Sequence, residues 1–335
     1  NKEVVVVEVI SATAVDSAQN LAGKSIFLEM GARLGVVELL LQAEPFDAQQ
    51  VVDLSGAKHH FVVSYLNALC KLGLSAPGPD PESYKGTAEL PAAVNNCGYL
   101  LWALQSCAPL IEHPVQFAND MQGAIDTYVR NGEHVARTSK WMGATDFYPH
   151  AEKEILQANP QKIIDFGSGT CGLLIRLLEQ LPQATAIGID LSASACQKAR
   201  EIIEGKGLSQ RIQVIHAPVE SLINDPALLK DVDVIHAGFV FHDLNPTQSQ
   251  VLPRLLAAIK GASPRAKLVI ADAIPDDTPW QNNAYSLAFT FLHTHFMDRR
   301  FPSEQGWRAL LEQAGFMDVT ISKPGLSGSR LIVGH

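Results

Sequence analysis

Residues 162–172 read Lys-Ile-Ile-Asp-Phe-Gly-Ser-Gly-Thr-Cys-Gly, and this stretch decides the fold of the chain around it. A short apolar run ends at Asp165, and the next apolar run, Ala-Ile-Gly-Ile-Asp, ends at Asp190. Three glycines follow the first run: Gly167, Gly169 and Gly172. Glycine permits a positive φ and a close approach of backbone to ligand, and a helix that begins there points its N–H groups at the same place. The order of strand, glycine turn, helix, strand and acid predicts a βαβ unit that binds an adenosine.

The two acids indicate which adenosine-containing ligand this unit binds. The Asp190 carboxylate can accept hydrogen bonds from both ribose hydroxyls. In a site for NAD the helix N-terminus receives a pyrophosphate, which the Asp165 carboxylate would repel. A ligand with a cationic amino group suits Asp165 instead. The sequence therefore favours S-adenosylmethionine over a dinucleotide, and a tight glycine turn without a ligand is the remaining alternative.

From residue 156 onward the chain alternates short apolar runs with helical segments. Strands are expected at 162–166, 185–190, 211–216, 232–237, 267–272, 317–322 and 329–333. The helices between them predict an α/β fold, with a mostly parallel sheet that is covered on both faces. The short Lys323–Gly328 loop predicts a terminal antiparallel hairpin.

The first hundred residues have a different character. Apolar residues recur at helical spacing over 12–42, and two short helical segments, 46–56 and 61–74, are then joined at a Ser-Gly turn. This order is typical of a winged helix, with Pro- and Gly-rich residues 76–87 as the wing. The segment that would contact DNA offers few cations: His59, His60 and Lys71. We therefore favour dimerisation over nucleic-acid binding for this region.

Composition excludes several classes of function. The 335 residues are 47% hydrophobic and 18% charged, which is ordinary for a globular protein with a large core. The net charge is −9 and no Lys/Arg run occurs, which argues against a nucleic-acid surface. The five cysteines form no CxxC pair and predict reduced thiols in a cytosolic protein. No apolar run is long enough for a membrane span, and no cleavable signal is evident.

These features together resemble the two-domain, dimeric, S-adenosylmethionine-dependent small-molecule methyltransferases of the O-methyltransferase type. The resemblance covers nearly the whole chain. Its anchors are Asp165-Phe-Gly-Ser-Gly, Asp190 after Ile-Gly-Ile, Phe241-His-Asp, and Trp307-Arg-Ala-Leu-Leu-Glu-Gln-Ala-Gly-Phe. It implies a winged-helix-like dimerisation domain (1–98), connecting helices that contribute to the acceptor pocket (99–155), and a class I Rossmann-like methyltransferase domain (156–335). A homodimer acting on a small molecule is the implied form.

The resemblance also implies the donor-binding residues. They are Asp165, Gly167, Ser168, Gly169, Asp190, Leu191, Pro218, Val219 and Gly238. One element departs from the family, in which Gly-Asp usually follows the third strand and the acid helps to hold the adenine. Here the run is His216-Ala-Pro-Val-Glu, so we expect backbone and apolar groups to contact the adenine.

The chemistry is expected beyond the fourth strand, where His242 and Asp243 follow the run Ile235–Phe241. Ligands gather at the carboxyl ends of parallel strands. In the resembling O-methyltransferases the matching histidine is the general base, a role that suits an imidazole. Other histidines are interpreted as ordinary surface or core groups, and a structural role is expected for His236 in the strand itself.

A second histidine cluster, in Phe289-Thr-Phe-Leu-His-Thr-His-Phe, suggests a different reaction. The chain resembles most closely a branch that methylates the β-carbon of α-keto acids and binds a metal through two histidines. The resemblance implies His242 and His293 as ligands of a divalent or ferric ion, iron or zinc. Such a metal would act as a Lewis acid on the chelated keto acid. Asp243 or His295 would then be the base.

The substrate carboxylate also needs a cation. Arg130 and Arg137 are the candidates, because arginine binds carboxylates in a bidentate geometry. An ordinary exposed helix face is the alternative for both arginines.

Two other functions remain open at this point. A metal-free O-methyltransferase of a small hydroxylated, aromatic metabolite would use His242 as base, with the three histidines as a proton relay. A non-catalytic regulator would keep the winged helix for DNA and the methyl donor as a ligand, although the acidic composition argues against it.

Overall fold

The computed structural model describes residues 12–42, 44–246, 249–275, 284–323 and 329–335. The chain divides into two compact units. The first comprises the chain up to Cys107 together with Asn131–Thr145, and the second comprises Ala108–Arg130 and Asp146–His335. The segment 99–155, expected as one connecting region, is therefore shared between the two units.

The helices, in chain order, are α1 (Ala12–Leu34), α2 (Val36–Leu41), α3 (Ala48–Ser55), α4 (His59–Lys71), α5 (Leu90–Leu101), α6 (Ala108–Ile111), α7 (Pro114–Asn119), α8 (Met121–Thr127), α9 (Gly132–Asp146), α10 (Tyr148–Ala158), α11 (Gly172–Gln180), α12 (Ala193–Gly205), α13 (Val251–Ala262), α14 (Ala284–Phe296) and α15 (Glu304–Ala314). The strands are β1 (Phe46–Asp47), β2 (Ser75–Pro77), β3 (Ser83–Gly86), β4 (Lys162–Phe166), β5 (Thr185–Asp190), β6 (Ile212–His216), β7 (Val234–Gly238), β8 (Lys267–Ala273), β9 (Val319–Ser322) and β10 (Ser329–Gly334). Short 3-10 turns lie at Val219–Ile223, Pro226–Leu229 and Phe241–Leu244.

The first unit packs its helices around a small antiparallel sheet of order β1-β3-β2. Asp47 caps α3 by accepting the Gln50 N–H, and the Gln50 side chain accepts the Asp47 N–H in return. Gly56 ends this helix in the left-handed conformation, which turns the chain into α4. The predicted pair of short helices and the hairpin of the predicted wing are both present. Dimerisation through this unit stays a prediction.

The second unit contains a seven-stranded sheet of order β6-β5-β4-β7-β8-β10-β9. Strands β4 to β8 are parallel, and β10 is antiparallel to both of its neighbours. Successive residues of β4 enter different apolar clusters, Ile163 on one face and Ile164 on the other. Both faces are therefore covered, and the prediction of a mostly parallel sheet with a terminal hairpin is confirmed. The turn of that hairpin, 324–328, lies outside the described residues.

The sheet order also locates the crevice for ligands. β4 lies between β5 and β7, while the chain runs from β5 to the edge strand β6 before it crosses to β7. The connections therefore leave β4 on opposite sides, and such a switch point opens a crevice beyond the carboxyl ends of the strands.

The thiols and the helices bear on two further predictions, reduced cysteines and no membrane span. All five cysteines are free thiols, and all except Cys70 are buried. None of the described helices has the length and apolar character that a membrane span requires.

Candidate functional site

The glycine turn after β4 is held against the end of β5. The N–H groups of Gly167 and Ser168 donate to the Ile189 carbonyl at 2.8 and 3.2 Å. The Asp190 carboxylate accepts from the Gly169 N–H and the Ser192 N–H, both at 2.8 Å. These hydrogen bonds thus fix the glycine turn and the Asp190 side chain relative to each other.

Two glycines are required by this geometry. Gly167 has a φ of +68°, and a Cβ on it would lie 2.4 Å from a methyl of Val240. A Cβ on Gly188 in β5 would lie 2.6 Å from the sulfur of Cys171 and from the hydroxyl of Ser168. Gly169, with a φ of +53°, instead borders open space, since among the described residues other than its chain neighbours no heavy atom lies within 4 Å of a Cβ built there. The turn therefore packs tightly against the sheet and leaves room beside Gly169.

The remaining predicted donor residues lie at the ends of three strands. Leu191 follows Asp190 and is 72% exposed, so its side chain is available to an adenine ring. His216, at the end of β6, has its Nε2 3.0 Å from the Leu191 carbonyl oxygen. This contact joins the end of β6 to the residue that follows β5. Pro218 is exposed, but the side chain of Val219 is buried in the core. Val219 can therefore contribute backbone contacts only.

Replacing Asp190 by alanine is expected to weaken the binding of S-adenosylhomocysteine by about 10- to 100-fold, because hydrogen bonds to a charged group are lost. Isothermal titration calorimetry measures this effect. The exposed Glu201→Ala variant is the control and should bind as the wild type does. An unchanged affinity in Asp190→Ala would contradict the assignment of this acid to the donor.

His242 lies beyond the end of β7, in the 3-10 turn Phe241–Leu244, and is 3% exposed. Its Nδ1 lies 2.7 Å from Oδ1 of Asp272, and its backbone N–H donates to Oδ2 of the same residue at 3.1 Å. Asp272 is fully buried at the end of β8. This carboxylate fixes the imidazole with the Nδ1 proton inward, so that Nε2 is presented to a third group.

The charges around His242 set its protonation. Burial would lower the pKa of His242, but the carboxylates of Asp272 and Asp243 outweigh burial and hold this pKa above its ordinary value. The Asp243 side chain is 44% exposed, and its Oδ2 lies 3.8 Å from the His242 Nε2. The ring is therefore a stronger base than an isolated histidine.

His293 meets His242 edge to face, with ring centroids 5.0 Å apart. It is 1% exposed on α14, and its Nδ1 lies 2.8 Å from the carbonyl oxygen of Phe289, one helical turn earlier. The guanidinium of Arg130 lies 3.5 Å from its Nε2. Burial, His242 and Arg130 together hold the pKa of His293 well below its ordinary value. This imidazole is therefore neutral, with its proton on Nδ1.

Aromatic rings enclose the two histidines. Phe301 stacks on His242 at a centroid distance of 5.1 Å, and Phe289 lies 4.1 Å from His293. Phe239, a residue with a positive φ of 55°, contacts both His242 and Phe289. The two histidines are themselves buried, and electrostatic interactions are stronger in such surroundings than in water.

Known proteins share this architecture. Residues 164–261, which include the glycine turn, Asp190 and His242, match a family described as a methyltransferase domain. The solved structure of human N-acetylserotonin methyltransferase in complex with S-adenosylmethionine matches with a TM-score of 0.60 at 17% identity, over 98% of this chain and 99% of that one. The fold is that of a class I methyltransferase. An O-methyltransferase family protein from Burkholderia thailandensis matches with a TM-score of 0.53 at 17% identity, over 98% of both chains.

Among the curated proteins similar to this chain is trans-aconitate 2-methyltransferase from Rhodopseudomonas palustris strain BisB5. It is 28% identical over 169 residues, 50% of this chain and 54% of that protein. The chain thus spans about half the length of the curated relatives it matches. These likenesses confirm the predicted class I methyltransferase fold, with a match to a methyltransferase domain over residues 164–261.

Two predicted catalytic residues are not joined to the histidine pair. His295 is exposed, and its ring packs on Phe291 at 4.5 Å. Residues two apart on a helix point in nearly opposite directions, so α14 turns His295 away from His293. Arg137 belongs to the first unit, where its guanidinium donates to the Glu29 carboxylate at 2.5 Å. Arg130 is therefore the predicted arginine that lies beside His293 within the second unit.

The sequence reasoning missed Asp272. The signal was available, since Asp272 ends the apolar run of a parallel strand in the same way as Asp165 and Asp190. Acids at this edge of a parallel sheet face the ligand crevice.

Proposed function

We propose that the protein transfers the methyl group of S-adenosylmethionine to the β-carbon of a small 2-oxo acid, with His242 and His293 as ligands of a metal ion. One observation carries this proposal. Both rings have Nδ1 bonded to a protein acceptor, and they meet edge to face with centroids 5.0 Å apart. With Nδ1 bonded to the protein, Nε2 is the nitrogen that each ring would offer to a metal, as in metal-binding histidines.

The residues present fit such a metal. Histidine that donates its second N–H to a carboxylate or a carbonyl is the usual arrangement around bound metals, and here Asp272 and the Phe289 carbonyl are those acceptors. Imidazole suits iron and zinc, and two protein ligands leave positions for a chelating substrate. When bound, the metal supplies a Lewis acid that increases the acidity of the carbon beside the keto group. Among the described residues no cluster of three or more His, Cys, Asp or Glu side chains is placed to hold a metal, so the proposed site depends on this pair alone.

The side chains around the histidine pair would bind the substrate carboxylate and accept the proton. The Arg130 guanidinium, beside His293, would bind the substrate carboxylate. Asp243 is a partly exposed carboxylate near His242 and is the candidate acceptor for the β-carbon proton. That carbon then bonds to the methyl group as the bond between methyl and sulfur breaks, and S-adenosylhomocysteine leaves. Phe239, Phe289 and Phe301 exclude water from the reaction.

The second candidate function is metal-free O-methylation of a small hydroxylated metabolite. The raised pKa of His242 and its bond to Asp272 favour it. The acceptor hydroxyl would give its proton to the His242 Nε2 while its oxygen attacks the methyl group.

An acceptor screen tests the proposal. Purified protein is incubated with S-adenosylmethionine and either a panel of 2-oxo acids or a panel of hydroxylated aromatics, and the product is examined by NMR. A new carbon–methyl signal from a 2-oxo acid is expected. Methyl ethers formed from the second panel alone would overturn the proposal in favour of O-methylation.

Replacing Asp272 by asparagine is expected to separate the two candidates. If His242 binds a metal, loss of the carboxylate charge beside Nδ1 should lower metal affinity by about 10- to 100-fold, and added metal should restore the activity. If His242 is instead a general base, it must be unprotonated to act, so activity rises as pH passes its pKa. Asp272 helps to raise the pKa of His242, so the variant's activity should then begin to rise at lower pH, and added metal should restore nothing. A variant with wild-type activity and pH profile would contradict both.

A further inference from the structure

A second buried acid–histidine pair lies at the start of the glycine turn, outside the acceptor site. Asp165 on β4 is opposite His236 on β7 in the register of these parallel strands. The His236 Nδ1 lies 2.7 Å from Oδ1 of Asp165. His236 is 1% exposed and Asp165 is 4% exposed. The reactions proposed above make no use of His236.

The charge of this pair follows from its hydrogen bonds. His236 Nε2 is buried and has no hydrogen-bond partner among the described residues. A proton there would leave a buried N–H unsatisfied, which is costly, so the hydrogen-bond geometry favours a ring that donates from Nδ1 alone. A neutral histidine donates a hydrogen bond but supplies no positive charge. The pair therefore carries the negative charge of the Asp165 carboxylate.

This buried charge lacks a cation in the described part of the protein. No arginine or lysine there forms an ion pair with Asp165, and His236 is the described residue that donates to its carboxylate. The nearby Arg176 is paired with Glu152 at 3.0 Å. By contrast, Asp190 accepts two backbone N–H groups, and Asp272 accepts from both the ring and the backbone of His242. A buried carboxylate that has one hydrogen-bond donor and no paired cation favours a cationic ligand.

Gly238 and Tyr148 border the same place. A Cβ on Gly238 would lie 3.1 Å from Cε1 of His236 and 3.7 Å from the ring of Tyr148, so glycine leaves a small gap between the two rings. Burial and the charge of Asp165 raise the pKa of Tyr148 to about 12, so this phenol stays neutral and adds no second negative charge.

We propose that His236 is a positioning residue of the donor site, which acts through Asp165 to hold its carboxylate for the α-ammonium group of S-adenosylmethionine. This inference rests on the proposed use of that donor. The ammonium supplies the missing cation, while Asp190 holds the ribose at the end of the neighbouring strand. The donor's amino-acid end is thereby anchored over β4 and β7, on the side of the sheet where β7 leads to His242.

The test compares two substitutions at position 236 with two ligands. In His236→Asn the side-chain amide can replace the Nδ1–H donor, whereas His236→Leu keeps an apolar volume and removes the donor. The ligands are S-adenosylhomocysteine, which has the ammonium group but no sulfonium charge, and its desamino analogue. Dissociation constants come from titration calorimetry, and thermal unfolding confirms that each variant is folded.

We expect the wild type and His236→Asn to prefer S-adenosylhomocysteine over the desamino analogue by about tenfold or more, the range for hydrogen bonds to charged groups. His236→Leu should lose most of this preference by weakening S-adenosylhomocysteine alone. Equal weakening of both ligands, or full preference in His236→Leu, would overturn the inference. Asp165→Asn should lose the preference as well, which keeps the test decisive if His236→Leu fails to fold.

The outcomes separate this inference from the proposed function. Failure of the wild type to bind S-adenosylhomocysteine would overturn both. Tight binding by the wild type together with full ammonium preference in His236→Leu would overturn the role of His236 alone.

Discussion

Replacing His242 by alanine is expected to lower kcat by about 10²- to 10⁴-fold, the usual contribution of a positioned acid–base group, while S-adenosylhomocysteine affinity stays near that of the wild type. The loss follows from either candidate chemistry, because each proposes the His242 Nε2, whose ring Asp272 orients, as the group that acts on the acceptor. Steady-state kinetics with the acceptor found in the screen, together with calorimetry for the donor product, measures the two effects separately.

The control for this variant is His295→Ala. His295 is exposed and packs on Phe291, so its removal should leave kcat close to the wild-type value. A His242→Ala protein that keeps substantial turnover would show that the acceptor site lies elsewhere. A large loss in His295→Ala would show that α14 presents a different face to the substrate.

Replacing His293 by alanine is expected to remove metal and activity together, with kcat reduced by at least about 10²-fold because the metal loses one of two protein ligands. His293 is almost fully buried and neutral, so it contributes no charge that could account for such a loss by itself. Elemental analysis of the purified variant and its turnover of a 2-oxo acid are measured on the same sample.

His295→Ala again supplies the matched control, since it removes an imidazole from the same helix two residues away. Its metal content and activity should both equal those of the wild type. Full activity in His293→Ala would show that the histidine pair is not a metal site and would favour the metal-free reaction. Circular dichroism of His293→Ala excludes unfolding as the cause of a loss.

The sheet could be predicted from the sequence nearly to the residue. The strands expected at 162–166 and 185–190 coincide with β4 and β5. Each apolar run ends at a carboxylate, and such a residue is expected near the carboxyl end of a parallel strand rather than within the core. Strand length and direction follow from such local patterns. The donor turn was predictable for the same reason, since its glycines and both acids are close in sequence.

The division into units could not be predicted in the same way. The segment 131–145 returns to the first unit, where the Asn131 N–H donates to the Ser106 carbonyl and the Asn95 amide donates to the Met142 carbonyl. These contacts join residues far apart in sequence, and neighbouring helices on either side look alike in composition. The pairing of Arg137 with Glu29 could not be predicted either, because the two residues are 108 positions apart in the sequence.

The histidine site was predictable in part. The sequence predicts His242 and His293 as a pair, but it does not give the register of α14, which decides where His295 points. A helix over 284–296 separates residues 293 and 295 onto different faces. The role of Asp272 depends on its contact with His242, 30 positions away, and only the fold brings the two residues together.

The central claim, a metal held by His242 and His293, is tested most directly by elemental analysis of the wild-type protein before and after dialysis against a chelator, with turnover of a 2-oxo acid measured on the same samples. We predict about one iron or zinc ion per chain, as the imidazole pair implies, with metal and activity lost together and both restored when the ion is added back. Undiminished activity in protein stripped of metal would contradict it.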